Sequence, residues 1–243
     1  MVRAAALGFV AVSAMIGTVL AGDRAAASSQ GGGPSIASAP PLPIGERVVD
    51  GANAGDCCND IRLFWRIPLA PSDQLRIDYG STNRSTVVLC VLAPTVTDYT
   101  LGDANCLASD NTSTKHELRF VAPTAGRYTL EVYTGWSDAG LAYELTGYVR
   151  HHTVTSLSVQ KLVSAYAALP IRGTVSGAND GRLLIRLTGP HGYNRKAVRP
   201  ISGSGAFSWT TKVGRAGRYR IRAIYYGDDD HLPSSAARTV RVG

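Results

Sequence analysis

The sequence contains no Gly-x-Ser-x-Gly elbow, no His-Glu-x-x-His pair and no Cys-x-x-Cys spacing. These absences remove the common local signatures of serine hydrolases, zinc peptidases and cysteine-held metal centres. No carboxylate pair stands in a recognisable glycosidase arrangement. Helical periodicity is scarce after residue 45, which argues against a helical bundle. No second long apolar run follows Leu20, so no later segment reads as a membrane-spanning helix. Lysine is also scarce: 4 lysines stand against 21 arginines in a chain rich in alanine, the bias of GC-rich bacterial coding sequence. In such a source the sequons at Asn83 and Asn111 carry no glycosylation expectation.

What is present begins with an export signal. Arg3 precedes an apolar run from Ala4 to Leu20, and Ala25-Ala26-Ala27 supplies small residues for cleavage. Residues 1–27 read as a signal peptide, with no lipobox cysteine behind it. Residues 28–44 form a Gly/Ser stretch followed by a proline-rich one, which predicts a flexible and then semi-extended linker. The 243-residue chain then has room for two domains, at residues 45–150 and 151–243.

Each half carries the same short stretch. It reads Ala125-Gly126-Arg127-Tyr128-Thr129-Leu130-Glu131-Val132-Tyr133 in the first and Ala216-Gly217-Arg218-Tyr219-Arg220-Ile221-Arg222-Ala223-Ile224-Tyr225 in the second. A glycine turn feeds a strand whose apolar side chains recur every second residue, the period of a half-buried antiparallel strand. A Gly-x-Tyr start to a late strand predicts a tyrosine corner, in which the hydroxyl ties back to a loop backbone. The fold class expected is all-β: two tandem antiparallel β-sandwiches, the first jelly-roll-like and the second Ig-like. Strands are expected at 61–67, 75–79, 86–92, 117–121, 127–133 and 141–149, then at 153–159, 171–175, 182–188, 206–211, 218–226 and 236–242.

Two resemblances accompany this pattern. Asn59-Asp60, Leu75-Arg76-Ile77, Val87 to Pro94, Ala122 to Val132 and Tyr143-Glu144-Leu145 together resemble the bacterial pre-peptidase C-terminal domain, a sandwich appended to secreted enzymes. No peptidase domain accompanies it in this sequence. The run from Gly217 to Asp228, with Pro233-Ser234-Ser235 and Thr239 to Val242, is similar to bacterial Ig-like repeats of secreted and cell-surface proteins. These resemblances imply a spacer, adhesive or accessory module rather than an enzyme.

The two halves differ in charge. Residues 45–150 hold 9 Lys/Arg against 13 Asp/Glu, a net of −4, whereas residues 151–243 hold 14 against 4, a net of +10. Such asymmetry bears on partners rather than on fold. Alternation along the strands places Arg182, Arg186, Arg218, Arg220, Arg222 and Arg241 outward, and an Ig-like sandwich would gather them on one sheet. This face is the candidate ligand site, suited to a cell-envelope polymer or polysaccharide or, without sequence specificity, to nucleic acid. It reads alternatively as a solvated face, or as a surface docked on the acidic first half. Trp136, in the turn from Gly135 to Gly140, is a second candidate, as an indole able to stack on a sugar ring.

Four cysteines allow three disulfide connectivities, and export makes disulfides expected. Cys90 and Cys106 flank a Thr/Asp/Gly-rich loop whose closure would contribute about 3 kcal/mol in the chain-entropy model. Cys57 and Cys58 are adjacent; a strained vicinal bridge and a crossing to Cys90 or Cys106 both stand open. Asp50, Asp56 and Asp60, with Asn53 and Asn59, crowd the start of the first domain as weak calcium candidates. Asp228, within Asp228-Asp229-Asp230, reads as the cap of a turn. The five histidines read as surface residues. The sequence as a whole predicts a secreted, non-enzymatic protein without cofactor, binding at the cell envelope and possessing no membrane span after signal cleavage. The alternative is a module that helps another secreted protein, a hydrolase, to fold or localise.

Overall fold

The computed structural model of the chain describes residues 32–52, 61–97, 105–112, 114–134 and 140–243. The predicted signal peptide, Cys57, Cys58, Asp56, Asp60 and Trp136 lie outside the described residues.

The first half folds as β1 (Arg47–Ala52), β2 (Ile61–Leu69), β3 (Gln74–Ser81), β4 (Val87–Leu92), β5 (Cys106–Thr112), β6 (His116–Val121), β7 (Gly126–Thr134) and β8 (Leu141–Arg150). Two antiparallel sheets, ordered β1-β8-β3-β6 and β2-β7-β4-β5, face each other. Their inward residues alternate along each strand, and Trp65, Ile77, Leu89, Tyr128, Leu130 and Tyr143 fill the space between. The second half adds β9 (Val154–Val159), β10 (Leu162–Val163), β11 (Ala168–Ser176), β12 (Arg182–Thr188), β13 (Asn194–Pro200), β14 (Ala206–Lys212), β15 (Gly217–Tyr225) and β16 (Ser234–Val242). Its sheets are β14-β11-β9 and β10-β16-β15-β12-β13. The chain passes repeatedly between them, with β9, β11 and β14 in one sheet and β10, β12, β13, β15 and β16 in the other. Leu183, Ile185, Tyr219, Ile221, Tyr225 and Val240 belong to this second, separate core. The fold is all-β, as the alternation of the sequence predicts.

Both repeated stretches form the same corner. Tyr128 donates its hydroxyl to the carbonyl of Thr124 at 2.9 Å, and Tyr219 donates to that of Arg215 at 3.0 Å. Each ring meets a second aromatic edge-on: Phe120 for Tyr128 and Tyr193 for Tyr219, with centroids 5.3 Å apart in both cases. The glycine opening each stretch is there for space. A Cβ on Gly126 would run into the ring of Pro94, and one on Gly217 would lie 2.6 Å from Pro190. Gly217 also has φ +147, a backbone conformation that disfavours side chains.

Residues 32–44 are where composition misleads. They form a strap, not a free linker. Gly33 exchanges two backbone hydrogen bonds with Phe64, Leu42 donates to the carbonyl of Arg66, and Arg66 donates to that of Pro40. The strap thereby covers the edge of β2 left open by its single partner, β7. Alternation turns Trp65 inward and Phe64 outward, yet Phe64 is buried too. Ala39, Phe64, Cys90 and Leu92 make a small third core on the outer face of the sheet, bordered by the Cys90–Cys106 disulfide. Ala39→Asp should therefore lift the strap. A carboxylate without a partner in that position is expected to cost about 2–3 kcal/mol, read as a lowered denaturation midpoint with increased binding of a hydrophobic dye.

The halves meet at Asp73. Its carboxylate accepts from the backbone of Ala70 at 2.9 Å, the backbone of His152 at 2.9 Å and the His151 ring at 3.0 Å. Arg150 donates to the carbonyls of Asp228 and His231, and His151 donates its amide to the carbonyl of Asp230. His151, the first residue of the second half, thus joins the two halves while its side chain stays half exposed. Of the others, His116 pairs with Asp110, and His231 sits 2.8 Å from Asp228.

Candidate functional site

The arginine face is built by strand alternation. Along β15 the apolar Tyr219, Ile221, Ala223 and Tyr225 turn inward, so Arg218, Arg220 and Arg222 point out. On β12, Leu183, Ile185 and Leu187 are buried, and Arg182 and Arg186 are exposed. On β16, Val240 and Val242 bury and leave Arg241 outside. The five-stranded sheet brings all six predicted arginines onto one face.

The register shows how they are placed. Arg218 stands directly opposite Arg241. The next outward row holds Thr239, Arg220 and Thr188. The third holds Ala237, Arg222, Arg186 and Lys196. The fourth is less polar, with Ile224, Leu184 and Val198 beside Ser235. Arg182 lies beyond it, opposite Pro200. Lys196 is a seventh cation, missed because β13, a charged strand ending in proline, carries no apolar alternation. Only its place opposite Arg186 assigns it to the face. Exposed Tyr226 follows directly after β15.

Like charges directly opposite each other on neighbouring strands are destabilising. This face holds two such arginine pairs, and among the described residues none of its seven cations meets a carboxylate. Arg186 and Arg222 splay apart toward neutral groups, donating to Asn194 and Ser235 respectively.

The first half provides an internal comparison. There, Arg76 also stands opposite an arginine, Arg119. That pair is neutralised: Arg119 binds Glu117, Arg76 lies 3.3 Å from Asp78, and its guanidinium stacks 4.2 Å from the Tyr148 ring centroid. The Arg119 contact holds the Glu117 carboxyl below the usual carboxylate range. Arg47 and Lys115 likewise share Glu144. The chain neutralises opposed arginines in one half and leaves them without carboxylates in the other.

A groove of about 760 Å³ runs between the halves, lined by Arg76, Arg119, Val121, Tyr148, Arg150 and Asp229 among others. Its three guanidiniums are already engaged by Glu117, Asp78 and Tyr148 or by the carbonyls of Asp228 and His231.

The remaining candidates are structural or undescribed. Both oxygens of Asp50 are taken, Oδ2 by the Gly32 amide at 2.6 Å and the Tyr143 hydroxyl at 3.1 Å, and Oδ1 by the Gly51 amide at 2.8 Å. Asp50 therefore knits the strap to β8, and its fellow calcium candidates Asp56 and Asp60 lie outside the described residues. Among the described residues no group of three or more His, Cys, Asp or Glu side chains is placed to hold a metal ion. Asp228 caps its turn by accepting from the Tyr225 hydroxyl, the Asp230 amide and the His231 ring. Burial opposes ionisation there, and these three donors outweigh it to hold the carboxyl below its ordinary range. Cys90 and Cys106 are bonded to each other.

No protein-family model matches the chain, and no curated protein matches it. Among solved structures it has a distant likeness to the sulfur carrier protein SoxY from Chlorobium limicola f thiosulfatophilum, at 11% identity and TM-score 0.28, covering 38% of this chain and 84% of that one. A GH2 beta-galacturonidase from Eisenbergiella tayi bound to glycerol shares 10% identity at TM-score 0.26, over 77% of this chain and 36% of that one. The same enzyme bound to galacturonate gives 10% and 0.26 over 76% and 36%. The chain thus spans about a third of the galacturonidase. Likenesses at this level assign neither a family nor an activity.

Proposed function

We propose that this is an exported, non-enzymatic protein of the cell envelope that binds an anionic polymer or polysaccharide through the outer face of its second sandwich. The observation that carries the reading is the set of seven cations that meet no carboxylate among the described residues, laid out on one sheet of a chain that neutralises an opposed arginine pair in its other half. A fixed cationic surface gains affinity by releasing counterions from a polyanion, so its binding weakens with salt. The export pattern of residues 1–27 and the Cys90–Cys106 bond support an oxidising, extracellular setting.

Binding to purified anionic envelope polymer across a salt series tests this. The wild-type affinity should fall steeply with salt. Changing Arg218, Arg220 and Arg222 to Gln should flatten the log–log slope by about 2, the value for three lost contacts on a single-stranded polyanion. Binding that ignores both salt and variant would move the site off this face. No binding at low salt would remove the proposal.

A further inference from the structure

Two imidazoles stand side by side where the junction meets the turn between β15 and β16. His151 and His231 are direct partners in a parallel β-bridge, closed by backbone bonds from His151 to Asp230 and from Leu232 to His151. Directly paired residues put their side chains on the same side of the strands. The two rings accordingly lie with centroids 6.3 Å apart and planes tilted by 50°. We infer that this pair is a binding site for one zinc-like divalent transition-metal ion, held by the Nε2 atoms of His151 and His231.

Three features of the pair point to a metal. The first is orientation. Nδ1 of His151 lies 3.0 Å from Asp73 Oδ2, and Nδ1 of His231 lies 2.8 Å from Asp228 Oδ1. An ionised carboxylate only accepts, so each Nδ1 carries a proton and each neutral ring keeps its lone pair on Nε2. A carboxylate behind the imidazole fixes the tautomer and raises the basicity of metal-ligating histidines. That arrangement occurs here on both members of one pair. Among the described residues neither Nε2 has a hydrogen-bond partner.

The second is reach. A ring nitrogen lies about 1.1 Å from its ring centre and a zinc–nitrogen bond is about 2.0–2.1 Å, so two rings on one tetrahedral ion have centres about 5 Å apart. The pair is wider than this by about 1 Å. His151, with its half-exposed side chain, closes that gap by turning about its bond to Asp73, while the mostly buried His231 stays in place.

The third is the donor set. All four carboxylate oxygens are committed. Asp73 Oδ1 takes the His152 amide and Oδ2 the Ala70 amide, whereas Asp228 Oδ1 takes the Asp230 amide and Oδ2 the Tyr225 hydroxyl. The groups left to an ion are two imidazole nitrogens, with water filling the other positions. Nitrogen donors suit zinc, copper and nickel, whereas calcium and magnesium require oxygen. The neighbouring cation, Arg150, is tied to the carbonyls of Asp228 and His231, and the two carboxylates outweigh its charge. His116 supplies the contrast: its Nδ1 also meets a carboxylate, that of Asp110, but its ring neighbour is Tyr79 and not a second imidazole. An ion on the pair would brace the turn after β15 against His151 and, through Asp73, against the first half.

Isothermal titration of zinc chloride into the untagged chain from Ser28 to Gly243, at neutral pH, tests the site. One ion per chain should bind. His151→Gln and His231→Gln should each weaken that binding about tenfold or more, at least the loss seen when a group behind a ligand is removed. His116→Gln should leave it unchanged, and calcium in about tenfold excess should not compete. In the unaltered protein, the Nε2 resonances of His151 and His231, and of no other histidine, should move as zinc is added. That measurement decides the matter even where a variant fails to fold. A zinc affinity weaker than about 1 mM would overturn the assignment. So would binding that survives in either of the two variants, resonances that move at other histidines instead, or displacement of zinc by calcium.

Discussion

Trp65→Ala should destabilise the protein by about 3–5 kcal/mol, the range for removing a buried large aromatic. Trp65 has no exposed surface, and it lies in the larger of the first half's cores. More than volume is at stake. Its indole N–H donates to the Tyr143 hydroxyl at 3.0 Å, and that hydroxyl donates to Asp50, which also holds the Gly32 amide. One line of hydrogen bonds thus crosses from β2 through β8 to β1 and on to the strap. Burial first, and then the neighbouring Asp50 charge, push the Tyr143 hydroxyl above its ordinary pKa, so it remains a donor throughout the neutral range. Removing the indole leaves that hydroxyl facing a cavity. The check is urea denaturation, with Trp65→Phe beside it. Phenylalanine keeps much of the packing and loses the N–H with part of the indole's volume, so it should cost less than alanine. Equal losses in the two variants would mean that the hydrogen bond, not the volume, dominates.

Asp73→Ala is expected to cost about 2–4 kcal/mol and to loosen the junction. The residue is 1% exposed and serves three donors, so its removal leaves the part-buried hydrogen bonds of the Ala70 and His152 amides without their acceptor. Burial raises the Asp73 pKa, and the His152 and Ala70 amides with the His151 ring more than offset this, leaving the carboxyl below the ordinary carboxylate value. A lowered folded pKa fixes the sign of the pH effect. The stabilisation is fully present above the unfolded value of about 3.9 and is lost as pH falls through the lower folded value. Wild type should therefore lose stability across that acid window by more than Asp73→Ala does. Small-angle scattering should also show a wider spread of interdomain distances in the variant at neutral pH. A scattering profile identical to wild type would show that Arg150 and the His151 backbone hold the junction unaided.

The strands that were legible in the sequence share one property: their own side chains alternate. β7, β12, β15 and β16 are read directly from their apolar parity, and with them came the tyrosine corners and six outward arginines. The strands that escaped reading are edges or depend on distant partners. β5 alternates between half-buried and exposed residues without burying any, and β13 presents charges and a proline at the edge of its sheet. β10 is two residues long and exists only because β16 accepts it. The strap escaped because Gly, Ser and Pro describe local stiffness, whereas its structure is set by Phe64 and Arg66, more than twenty residues away. For the face, parity told which way each arginine points. Register told which arginine meets which, and register follows from turn lengths that side-chain type does not encode.

The β10–β16 pairing has a mechanical meaning. It is parallel, and it is continued by backbone bonds from Arg241 to Lys161, from Gly243 to Val163 and from Ala165 to Gly243. A pull that arrives through the Thr153 side and leaves at Gly243 first meets β9. Once that strand yields, the pull draws β10 and β16 past each other along their length. The bonds between them then share the load at the same moment and must fail together, where an antiparallel pair pulled from one end would open one bond at a time. The second sandwich is accordingly fastened against tension at the end where its chain leaves the sheet.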